Sequence, residues 1–573
     1  MRRPPFHRWQ TLPQMFFAQA RVYGTKPFLW TRGDNGYESL SWQVVAERVR
    51  NLSAYLGRLN LQKGERVLLC ASNSPSWFIA DLAIMNRGAL TVPLYTTYRA
   101  EDYRYFLEHT EAALAIVDDS LYERFVAAGM LDHVRDVLVI GTAPTGQKQW
   151  HDIITSAPED SDDESTSNVQ GDDASSIIYT SGSSANPKGV VLSHRALLSN
   201  CQGCWVLLSG ILSRHKSERF LSFLPLSHAY ERTAGQFLVV AIGGEIYYLD
   251  SLDNLAVRLA EVRPTLLAVV PRLLEAMRQR MLGRAKNLRG IPRFLWQQAL
   301  TRGEQRQISG KRKGVWDYVL DTLVCRKVRA IFGGQLKILV SGGAALPEAL
   351  GSFFNAFGVP LVQGYGQTES APVISCNLPS SNRAGSVGRA LSNVQVRLSG
   401  DNEILVRGAL LMSGYWRNDA ATVEALADGW LHTGDQGKID ADGYLFITGR
   451  LKEIIVTSGG DTLSPQRIEG LLSLEEEIAQ AMVWGDGKPW LSAVLVAEES
   501  WAKNKSAEDI HTGLERAVKR VNTRLSLPEH VRRFVVAQEP FSIVNGMLTP
   551  TMKIKRRAIT QGYEDSLLRL YRG

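Results

Sequence analysis

Cysteine is scarce in this sequence, and its count is odd. The 573 residues include five cysteines, at positions 70, 201, 204, 325 and 376. A sparse, odd set in a long chain indicates a reducing compartment and excludes a disulfide-stabilised secreted scaffold. Cys201 and Cys204 are spaced C-x-x-C, but the second pair of ligands that a zinc site needs does not lie near them in the sequence. We interpret them as two small apolar residues on a helix.

Long apolar runs are also missing. No stretch reaches the roughly 18 apolar residues of a membrane-spanning helix. The strongest candidate, residues 237–249, is interrupted by Gly243, Gly244 and Glu245. The basic N-terminal residues MRRPPFHR are not followed by the apolar stretch of a secretory signal. We therefore expect a cytoplasmic protein, and we add peripheral contact with the inner face of the membrane as a hypothesis.

The composition that remains is that of a globular protein, with 45% hydrophobic and 21% charged residues. Its net charge of +7 is unevenly distributed, because residues 278–313 carry eleven Lys or Arg and one acidic residue, Glu304. This segment is either a solvated surface or a landing site for an acidic partner, such as an anionic membrane or an acidic carrier protein. Phe294 and Trp296 are too few aromatic residues for a nucleic-acid surface, so we predict no nucleic-acid partner.

Short apolar runs alternate with stretches of helical period over most of the chain. Runs at 67–70, 114–117, 137–140, 266–270 and 338–340 have the length and composition of buried strands, and the first is followed by an apolar helical pattern over 77–85. This alternation predicts layered α/β structure. The last ~120 residues change to short strands and a charged helix around 508–525. We therefore predict a small separate domain that begins near Leu451.

The strongest local signal lies in residues 175–194, SSIIYTSGSSANPKGVVLSH. Residues 177–179 are typical of a strand, and Ser193 is a candidate N-cap of a helix. Small residues and Gly182 would let backbone N–H groups approach phosphate oxygens, and Lys188 adds a positive charge. Hydroxyl donors come from Thr180, Ser181, Ser183 and Ser184.

This loop differs from a Walker A loop, because Pro187 precedes Lys188 and Gly189 follows it. The alternative is a Ser/Gly-rich surface linker. The strand before the loop and the Pro-Lys-Gly sequence after it fit a linker poorly. The segment therefore predicts phosphate binding.

Further motifs follow in a fixed order. They are LPLSHAYERT (224–233), SGGAA (341–345), QGYGQTESAP (363–372), WLHTGDQG (430–437), GRLK (449–452) and GMLTPTMKIKRR (546–557). Together with the phosphate loop, they resemble the motifs of the adenylate-forming superfamily, and among its members those of long-chain fatty acyl-CoA synthetases. The resemblance spans residues 10 to 560, and the loop departs from the family pattern at Ala185, where the family has glycine.

The resemblance implies an α/β, multi-domain fold. Residues 1–450 would form a large N-terminal adenylation domain, with β-sheets layered with helices and a distorted barrel. Residues 451–573 would form a small, mobile α+β domain that acts as a lid. Lys452 would be the hinge, and after rotation Gly459 and Gly460 would line a tunnel for pantetheine, because a residue without a Cβ permits close approach.

The resemblance also implies roles for individual residues. Glu369 and Thr180 would hold Mg²⁺, Thr368 would contact the α-phosphate of ATP, and Lys553 would neutralise charge as pyrophosphate leaves. The phosphate loop would bind ATP through Thr180, Ser181, Gly182, Ser183, Ser184 and Lys188. The nucleoside would be bound by Gly343, Ala344, Tyr365, Gly366, Asp435 and Arg450. His228 would lie at the acyl pocket as a gate or a helper of the thiol step, and a packed histidine is the alternative.

The implied activity is ATP-dependent activation of a medium- or long-chain fatty acid, followed by transfer to CoA. A carboxylate is already ionised at pH 7, so the reaction needs positioning and charge neutralisation rather than a general base. An acyl-acyl carrier protein synthetase, with the same adenylation step, is the alternative. A catalytically inactive nucleotide-binding scaffold is a third, which the presence of Lys188, Glu369, Asp435 and Lys553 disfavours. Acyl chain length and oligomeric state stay open.

Overall fold

The structure of the protein is a computed structural model, and it describes residues 4–156, 168–180, 187–212, 216–310, 312–549 and 552–572. The strands that the apolar runs predict are present, as are the apolar helix over 77–85 and the charged helix near the C-terminus. The strand directly after the phosphate loop was not predicted. The sequence KGVVLS after the phosphate loop is itself a strand, because its apolar residues pair with the strand before the loop.

The strands are β1 (Pro27–Gly33), β2 (Gly36–Ser41), β3 (Arg66–Cys70), β4 (Leu90–Pro93), β5 (Leu114–Asp118), β6 (Asp136–Ile140), β7 (Ala174–Thr180), β8 (Lys188–Ser193), β9 (Arg219–Ser222), β10 (Glu245–Tyr248), β11 (Leu266–Val269), β12 (Ile338–Ser341), β13 (Leu361–Gly366), β14 (Val373–Cys376), β15 (Arg389–Ala390), β16 (Gln395–Leu398), β17 (Glu403–Arg407), β18 (Gly414–Tyr415), β19 (Leu431–Ile439), β20 (Leu445–Arg450), β21 (Ile455–Val456), β22 (Thr462–Leu463), β23 (Ile478–Trp484), β24 (Leu491–Ala497) and β25 (Val531–Val536).

The α-helices are α1 (Leu12–Tyr23), α2 (Trp42–Arg58), α3 (Pro75–Asn86), α4 (Ala100–Thr110), α5 (Asp119–Ala127), α6 (Trp150–Thr155), α7 (His194–Leu208), α8 (Leu238–Ile242), α9 (Leu255–Val262), α10 (Pro271–Lys286), α11 (Gly290–Ser309), α12 (Val315–Leu320), α13 (Arg326–Ile331), α14 (Glu348–Ala356), α15 (Asp419–Ala425), α16 (Pro465–Leu472), α17 (Glu499–Ala502), α18 (Ala507–Asn522) and α19 (Arg556–Arg569).

Two large sheets organise the body of the molecule. The seven-stranded sheet has the order β18-β8-β7-β4-β3-β5-β6, and the nine-stranded sheet has the order β15-β14-β13-β12-β11-β9-β10-β1-β2. In the second sheet, the strands from β10 through β9, β11 and β12 to β13 run parallel. The carboxyl ends of β12 and β13 therefore meet at one edge, which is where open α/β sheets bind ligands.

Helix α3 illustrates why the layers hold together. It is apolar on all sides and buries eleven of its twelve residues, as expected for a helix enclosed by other layers. Its one acidic residue, Asp81, is fully buried and accepts two hydrogen bonds from Arg232, at 2.9 and 2.6 Å. Arg232 lies in the π-helix Glu231–Phe237, which follows His228. Removing one partner of such a pair costs about 3–5 kcal/mol, so this pair fixes the segment next to His228.

Smaller sheets complete the fold. The end of the body contains the antiparallel sheet β16-β17-β19-β20, whose Ile404, Val406, Leu431 and Leu445 belong to the main hydrophobic core. The C-terminal part contains the hairpin β21-β22 and the sheet β23-β24-β25 with helices α16, α18 and α19. Most buried apolar residues from Ile455 onward form two hydrophobic clusters of their own, whereas Leu474 belongs to a cluster of the body.

The C-terminal part lies against helix α10, at the beginning of the basic segment. Arg272 donates to the carbonyl of Ala479 at 2.5 Å, and Arg278 donates to the carbonyl of Leu474 at 3.1 Å. Lys286 forms an ion pair with Glu476. Two basic residues of 278–313, Arg278 and Lys286, therefore contact the C-terminal part, whereas Arg280 and Arg284 between them are exposed.

Two features are absent among the described residues. No helix there combines the length and the apolar character needed to cross a membrane. No group of three or more His, Cys, Asp or Glu in this part of the chain is arranged to hold a metal ion. Cys201 and Cys204 are buried, unbonded thiols on α7, as the simpler interpretation predicts.

Candidate active site

The phosphate loop connects two paired strands. Ser181, Gly182, Ser183 and Ser184, together with Ala185, lie outside the described residues, but both ends of the loop are defined. Thr180 ends β7 and pairs in register with Lys188, which begins β8. The Thr180 hydroxyl donates to the Lys188 carbonyl at 3.4 Å, and the Pro187 carbonyl accepts from the Tyr105 hydroxyl at 3.1 Å. The two strands on either side of the loop are therefore antiparallel partners, and Ser193 caps helix α7 after β8, as predicted.

One aromatic side chain, Tyr415, contacts both Lys188 and Glu369, the acidic residue of the Y-G-x-T-E motif (residues 365–369). Its ammonium is 4.7 Å from the centre of the Tyr415 ring. The Tyr415 hydroxyl donates to Glu369 Oε1 at 2.9 Å. Burial, and then the Glu369 carboxylate, raise the pKa of Tyr415, so its hydroxyl stays protonated and donates at neutral pH. The structure thus joins Lys188 and Glu369, which the sequence could place only as separate motifs.

Tyr415 is a site residue that the sequence analysis missed. It lies on β18, a two-residue edge strand that pairs with β8 and so with the phosphate loop. The only sequence signal is the aromatic pair in GYWR at 414–417. Trp416 packs close to Gly189, where an added Cβ would lie 3.3 Å from the Trp416 Cβ. This pair of aromatic residues therefore packs against the beginning of β8, directly after the loop.

The Y-G-x-T-E segment is placed by close backbone packing. Gly366 ends β13, and a Cβ there would lie 1.8 Å from the carbonyl oxygen of Pro372. Only glycine permits this approach. Thr368 and Glu369 follow in the short 3₁₀ helix Thr368–Ser370, with Thr368 buried and Glu369 half-buried. The carbonyl of Glu369 accepts from the Met412 N–H at 2.9 Å, which holds this helix against the strand that carries Tyr415.

A buried carboxylate, Asp435, is held by two of the predicted nucleotide-binding residues. The Tyr365 hydroxyl donates to Asp435 Oδ2 at 2.8 Å, and Arg450 Nε donates to Asp435 Oδ1 at 2.8 Å. Asp435 and Arg450 are partners in register on β19 and β20. Each carboxylate oxygen can accept more than one hydrogen bond, so Asp435 can still accept from a ligand hydroxyl. Fixed from both sides, its oxygens are oriented in advance.

Gly343 and Ala344 lie beside Tyr365 because β12 and β13 are neighbours. Ser341 pairs with Gln363, so the turn after β12 and the end of β13 lie at the same edge of the sheet. Gly343 has φ +79°, a conformation that favours glycine, and both Gly343 and Ala344 are exposed. The exposed turn and the Tyr365 ring therefore share the edge at which a ligand can bind.

Lys553 enters this cluster from the C-terminal part. The Thr549 hydroxyl accepts from the Lys553 N–H at 3.0 Å, and the Thr549 N–H donates to the Lys553 carbonyl at 2.8 Å. The residue as a whole is exposed. Desolvation of its ammonium, and then the Arg450 guanidinium, lower the pKa of Lys553, while the carboxylates of Asp435, Glu453 and Glu369 act in the opposite direction. Lys553 therefore interacts with residues of both the Y-G-x-T-E and the T-G-D motifs.

His228 faces the same cation. Burial, and then the Lys553 ammonium, lower the pKa of His228 to about 3, so the imidazole is neutral at pH 7. Its Nδ1 accepts from the Tyr230 N–H at 3.2 Å, which leaves the proton on Nε2. In this state Nε2 is a hydrogen-bond donor and not a base. His228 is half-buried, so the packed-histidine alternative describes it only in part.

The segment that carries the predicted hinge is linked to the segment of Lys553. Lys452 is exposed in the short helix Leu451–Glu453. Arg556, three residues after Lys553, lies 3.6 Å from Glu453 and forms a 2.5 Å ion pair with Glu469. Gly459 and Gly460 lie in an exposed turn nearby in the sequence, where Gly460 has φ +87°.

These features together define a nucleotide-binding enzyme built from a sheet-layered body and a smaller C-terminal part that contributes a lysine. The AMP-binding enzyme family model matches residues 16–416, and the AMP-binding enzyme C-terminal domain model matches residues 452–573. The chain belongs to the AMP-binding enzyme family, and it is an adenylate-forming protein of the long-chain acyl-CoA synthetase type.

Curated relatives extend over almost the whole chain. The chain is 32% identical to the long-chain-fatty-acid–CoA ligase FadD15 of Mycobacterium bovis, over 94% of this chain and 93% of the relative. It is 30% identical to long-chain-fatty-acid–CoA ligase 6 of Mus musculus, over 98% of this chain and 87% of the relative.

Solved structures share the fold at lower identity. The adenylation domain of a carboxylate reductase from Mycobacterium chelonae has a TM-score of 0.80 at 20% identity, with 99% of this chain and 92% of that chain covered. The anthranilate CoA ligase AuaEII, in complex with anthranoyl-AMP, has a TM-score of 0.76 at 20% identity, with 98% of each chain covered. These likenesses confirm the predicted multi-domain α/β fold.

Proposed function

We propose that this protein activates a medium- or long-chain fatty acid with ATP and transfers the acyl group to CoA, giving fatty acyl-CoA, AMP and pyrophosphate. The observation that best supports the proposal is the pair of oriented carboxylates: Tyr365 and Arg450 hold Asp435, and Tyr415 holds Glu369. The charges of Arg450, Asp435 and Glu369 also act on the pKa of Lys553. The names of the curated relatives, long-chain-fatty-acid–CoA ligases, support the same substrates.

The first step forms a bond between a carboxylate oxygen of the fatty acid and the α-phosphorus of ATP, and it breaks the bond from that phosphorus to the bridging oxygen of pyrophosphate. Both reactants are anions, so the main obstacle is charge repulsion. Lys188 from the body and Lys553 from the C-terminal part would reduce it. Asp435 and Arg450 would hold the ribose, and Tyr365 would stack on the adenine beside Gly343 and Ala344. Catalysis then rests on positioning and charge.

Mg²⁺ fits this site as a companion of the phosphates. Mg²⁺ is commonly held by one or two protein ligands, with phosphate oxygens and water completing its shell. Glu369 offers a half-buried carboxylate oriented by Tyr415, and Thr180 offers a hydroxyl at the mouth of the phosphate loop. We assign these two residues as its protein ligands. The ion would neutralise phosphate charge.

The second step needs the same acyl carbon to become accessible to a thiol. A sulfur–carbon bond forms at that carbon, and the bond from carbon to the AMP oxygen breaks. We propose that residues 451–573 rotate as a lid on the body, residues 1–450, with Lys452 as hinge and with Gly459 and Gly460 brought to the thiol path. The separate hydrophobic clusters of the C-terminal part support its movement as a unit.

An acyl carrier protein thiol is the second candidate acceptor, because the adenylation site does not distinguish acceptors. The test combines purified protein, ATP, Mg²⁺ and palmitate with either CoA or holo-carrier protein, and measures thioester by mass spectrometry. We expect acyl-CoA, and none with Glu369→Gln. Thioester on the carrier alone would establish the alternative, and absence of both AMP and thioester would contradict the proposal. We also propose a cytoplasmic location, which the five free cysteines support, because unpaired thiols are typical of a reducing compartment.

A further inference from the structure

Helix α4 holds both strands at the base of the phosphate loop. The Tyr105 hydroxyl donates to the Pro187 carbonyl at 3.1 Å, directly before Lys188. One helical turn further along, His109 Nδ1 and the Tyr179 hydroxyl share a hydrogen bond of 2.6 Å near the end of β7. Both strands that lead into the loop are therefore bonded to the same helix.

The buried side of α4 is fixed on the body. Its residues Tyr103, Phe106 and Leu107 belong to a hydrophobic cluster that also contains Ile177 and Tyr179 of β7. The rings of Phe106 and Tyr179 lie 4.5 Å apart, centre to centre. Because interiors of this kind are close-packed, α4 and the strand before the phosphate loop form one rigid layer.

The beginning of the same helix contacts the C-terminal part. Arg99, the residue before α4, donates from Nη2 to the Val544 carbonyl at 2.9 Å. The Arg99 N–H donates to Asp102 Oδ2 at 2.9 Å, which fixes the residue at the helix start. Both Arg99 and Val544 are exposed, so their contact lies at the surface between the body and the C-terminal part. A guanidinium offers several donors in a fixed plane, which suits it to hold a backbone carbonyl.

The turn that carries Val544 is bonded to the segment of Lys553. The Met547 N–H donates to the Ser542 carbonyl at 3.1 Å, which closes the turn around Val544. The Met547 carbonyl accepts from the Lys555 N–H at 2.9 Å. The turn and the lysine segment are thus one hydrogen-bonded unit, and the place of the Val544 carbonyl sets that of Lys553.

We propose that Arg99 is a positioning residue for Lys553, and that α4 sets the distance between Lys553 and the phosphate loop during adenylation. The inference rests on the proposed function, in which Lys188 and Lys553 act on the same triphosphate. Displacing a positioned group by about 1 Å can cost on the order of 100-fold in rate. Since the C-terminal part would rotate away for the second step, the Arg99 contact would serve the first step alone.

The main test variant is Arg99→Met, which keeps an unbranched side chain and removes the donors. We expect kcat/KM for ATP in palmitate-dependent pyrophosphate exchange to fall about 3- to 10-fold, the effect of one hydrogen bond. Thiolysis of a supplied acyl-adenylate by CoA should be unchanged, and Arg99→Lys, which keeps a cationic donor, should regain part of the exchange. The matched control is Arg104→Met, at an exposed arginine of α4 that donates to the Ala128 carbonyl of the body at 2.8 Å.

A double-mutant cycle shows whether Arg99 acts through Lys553. Arg99→Met should cost almost nothing further in the Lys553→Ala variant, because the residue that it positions is already missing. Tyr105→Phe acts on the phosphate loop, so it should lower exchange with Lys553 present and also in Lys553→Ala. Wild-type exchange in Arg99→Met, an equal loss in Arg104→Met, or the same Arg99→Met loss in both backgrounds would overturn the proposal.

Cross-linking tests the contact without any activity. The five native cysteines are buried, so a short bis-maleimide can join cysteines introduced by Arg99→Cys/Val544→Cys. This pair should cross-link much faster than Arg104→Cys/Val544→Cys, and the linked protein should keep pyrophosphate exchange and lose thioester formation. Equal cross-linking of the two pairs would overturn the proposal. Selective cross-linking in a protein whose wild type shows no palmitate-dependent exchange would contradict the proposed function and leave the Arg99 contact standing.

Discussion

Removing one hydroxyl, with Tyr415→Phe, tests how the phosphate loop and the Y-G-x-T-E motif cooperate. The substitution keeps the ring 4.7 Å from the Lys188 ammonium and deletes the 2.9 Å hydrogen bond to Glu369. A hydrogen bond to a charged group contributes about 1.5–3 kcal/mol, which corresponds to about 10- to 150-fold. We expect kcat/KM for ATP to fall by that factor, because Glu369 would lose the group that orients its carboxylate.

A larger substitution separates the two contacts of this side chain. Tyr415→Leu removes the hydroxyl and also the aromatic face next to Lys188. A cation–π contact contributes about 0.5–2 kcal/mol, so the leucine variant should lose a further factor of about 2 to 30 relative to Tyr415→Phe. The ordering of wild type, Phe and Leu therefore reports each contact in turn.

The assay is fatty-acid-dependent exchange of pyrophosphate into ATP, measured at ATP concentrations below KM. A double-mutant cycle with Glu369→Gln isolates the interaction between Tyr415 and Glu369. If the two side chains are hydrogen-bonded, Tyr415→Phe should reduce kcat/KM much less in the Glu369→Gln variant than in the wild type. Tyr444→Phe is the matched control: its hydroxyl donates to Ser381 at 2.9 Å, and Arg383 lies over its ring, away from the site. Wild-type exchange in Tyr415→Phe, or equal losses in both backgrounds, would refute the reasoning.

Three further outcomes follow from the structure. Gly366→Ala should raise KM for ATP by about 5- to 150-fold, because a Cβ 1.8 Å from the Pro372 carbonyl oxygen forces a backbone shift that costs about 1–3 kcal/mol. The control Gly283→Ala, where an added Cβ meets no atom within 4 Å, should leave KM unchanged. Equal KM values in the two variants would contradict this prediction. Burial lowers the pKa of His194 from 6.5 to about 3. As the pH falls from 7.5 to 5, His194 therefore takes up a proton in the unfolded protein but not in the folded one. This should lower the free energy of unfolding by about 2 kcal/mol over that range. In His194→Asn, the drop in the urea-derived free energy of unfolding between those pH values should be smaller by that amount, and an unchanged drop would reject the assignment. Lys452→Pro should preserve pyrophosphate exchange and reduce the formation of thioester. Thioester formation at the wild-type level in this variant would contradict the assignment of Lys452 as the hinge.

Several parts of the fold were predictable because they depend on local pattern. The runs at 67–70 and 114–117 are apolar, short and bounded by turns. Such a pattern favours a strand that is buried between layers, and both runs form one. The cap at Ser193 has an equally local cause, because its hydroxyl accepts from the Ala196 N–H at 3.1 Å. Such features need no knowledge of distant residues.

Other parts depend on contacts that no local pattern encodes. Tyr415 reaches Glu369 because a two-residue edge strand pairs with β8, more than two hundred residues earlier in the chain. Asp81 and Arg232 lie in an apolar helix and a π-helix, and only the packing of the two explains why either charge is buried. The basic segment 278–313 was a single feature in the sequence, whereas the structure divides it between the C-terminal part, internal ion pairs and solvent.

The central claim is that a lysine of the C-terminal part, Lys553, completes the adenylation site. Measuring pyrophosphate exchange in the Lys553→Ala variant tests this claim most directly. Removing one preorganised charge-stabilising group costs on the order of 100- to 1,000-fold in rate. We predict that fatty-acid-dependent exchange falls by at least this factor, that thiolysis of a supplied acyl-adenylate by CoA is retained, and that the neighbouring Lys555→Ala behaves like the wild type. Exchange at the wild-type rate in Lys553→Ala would contradict the account.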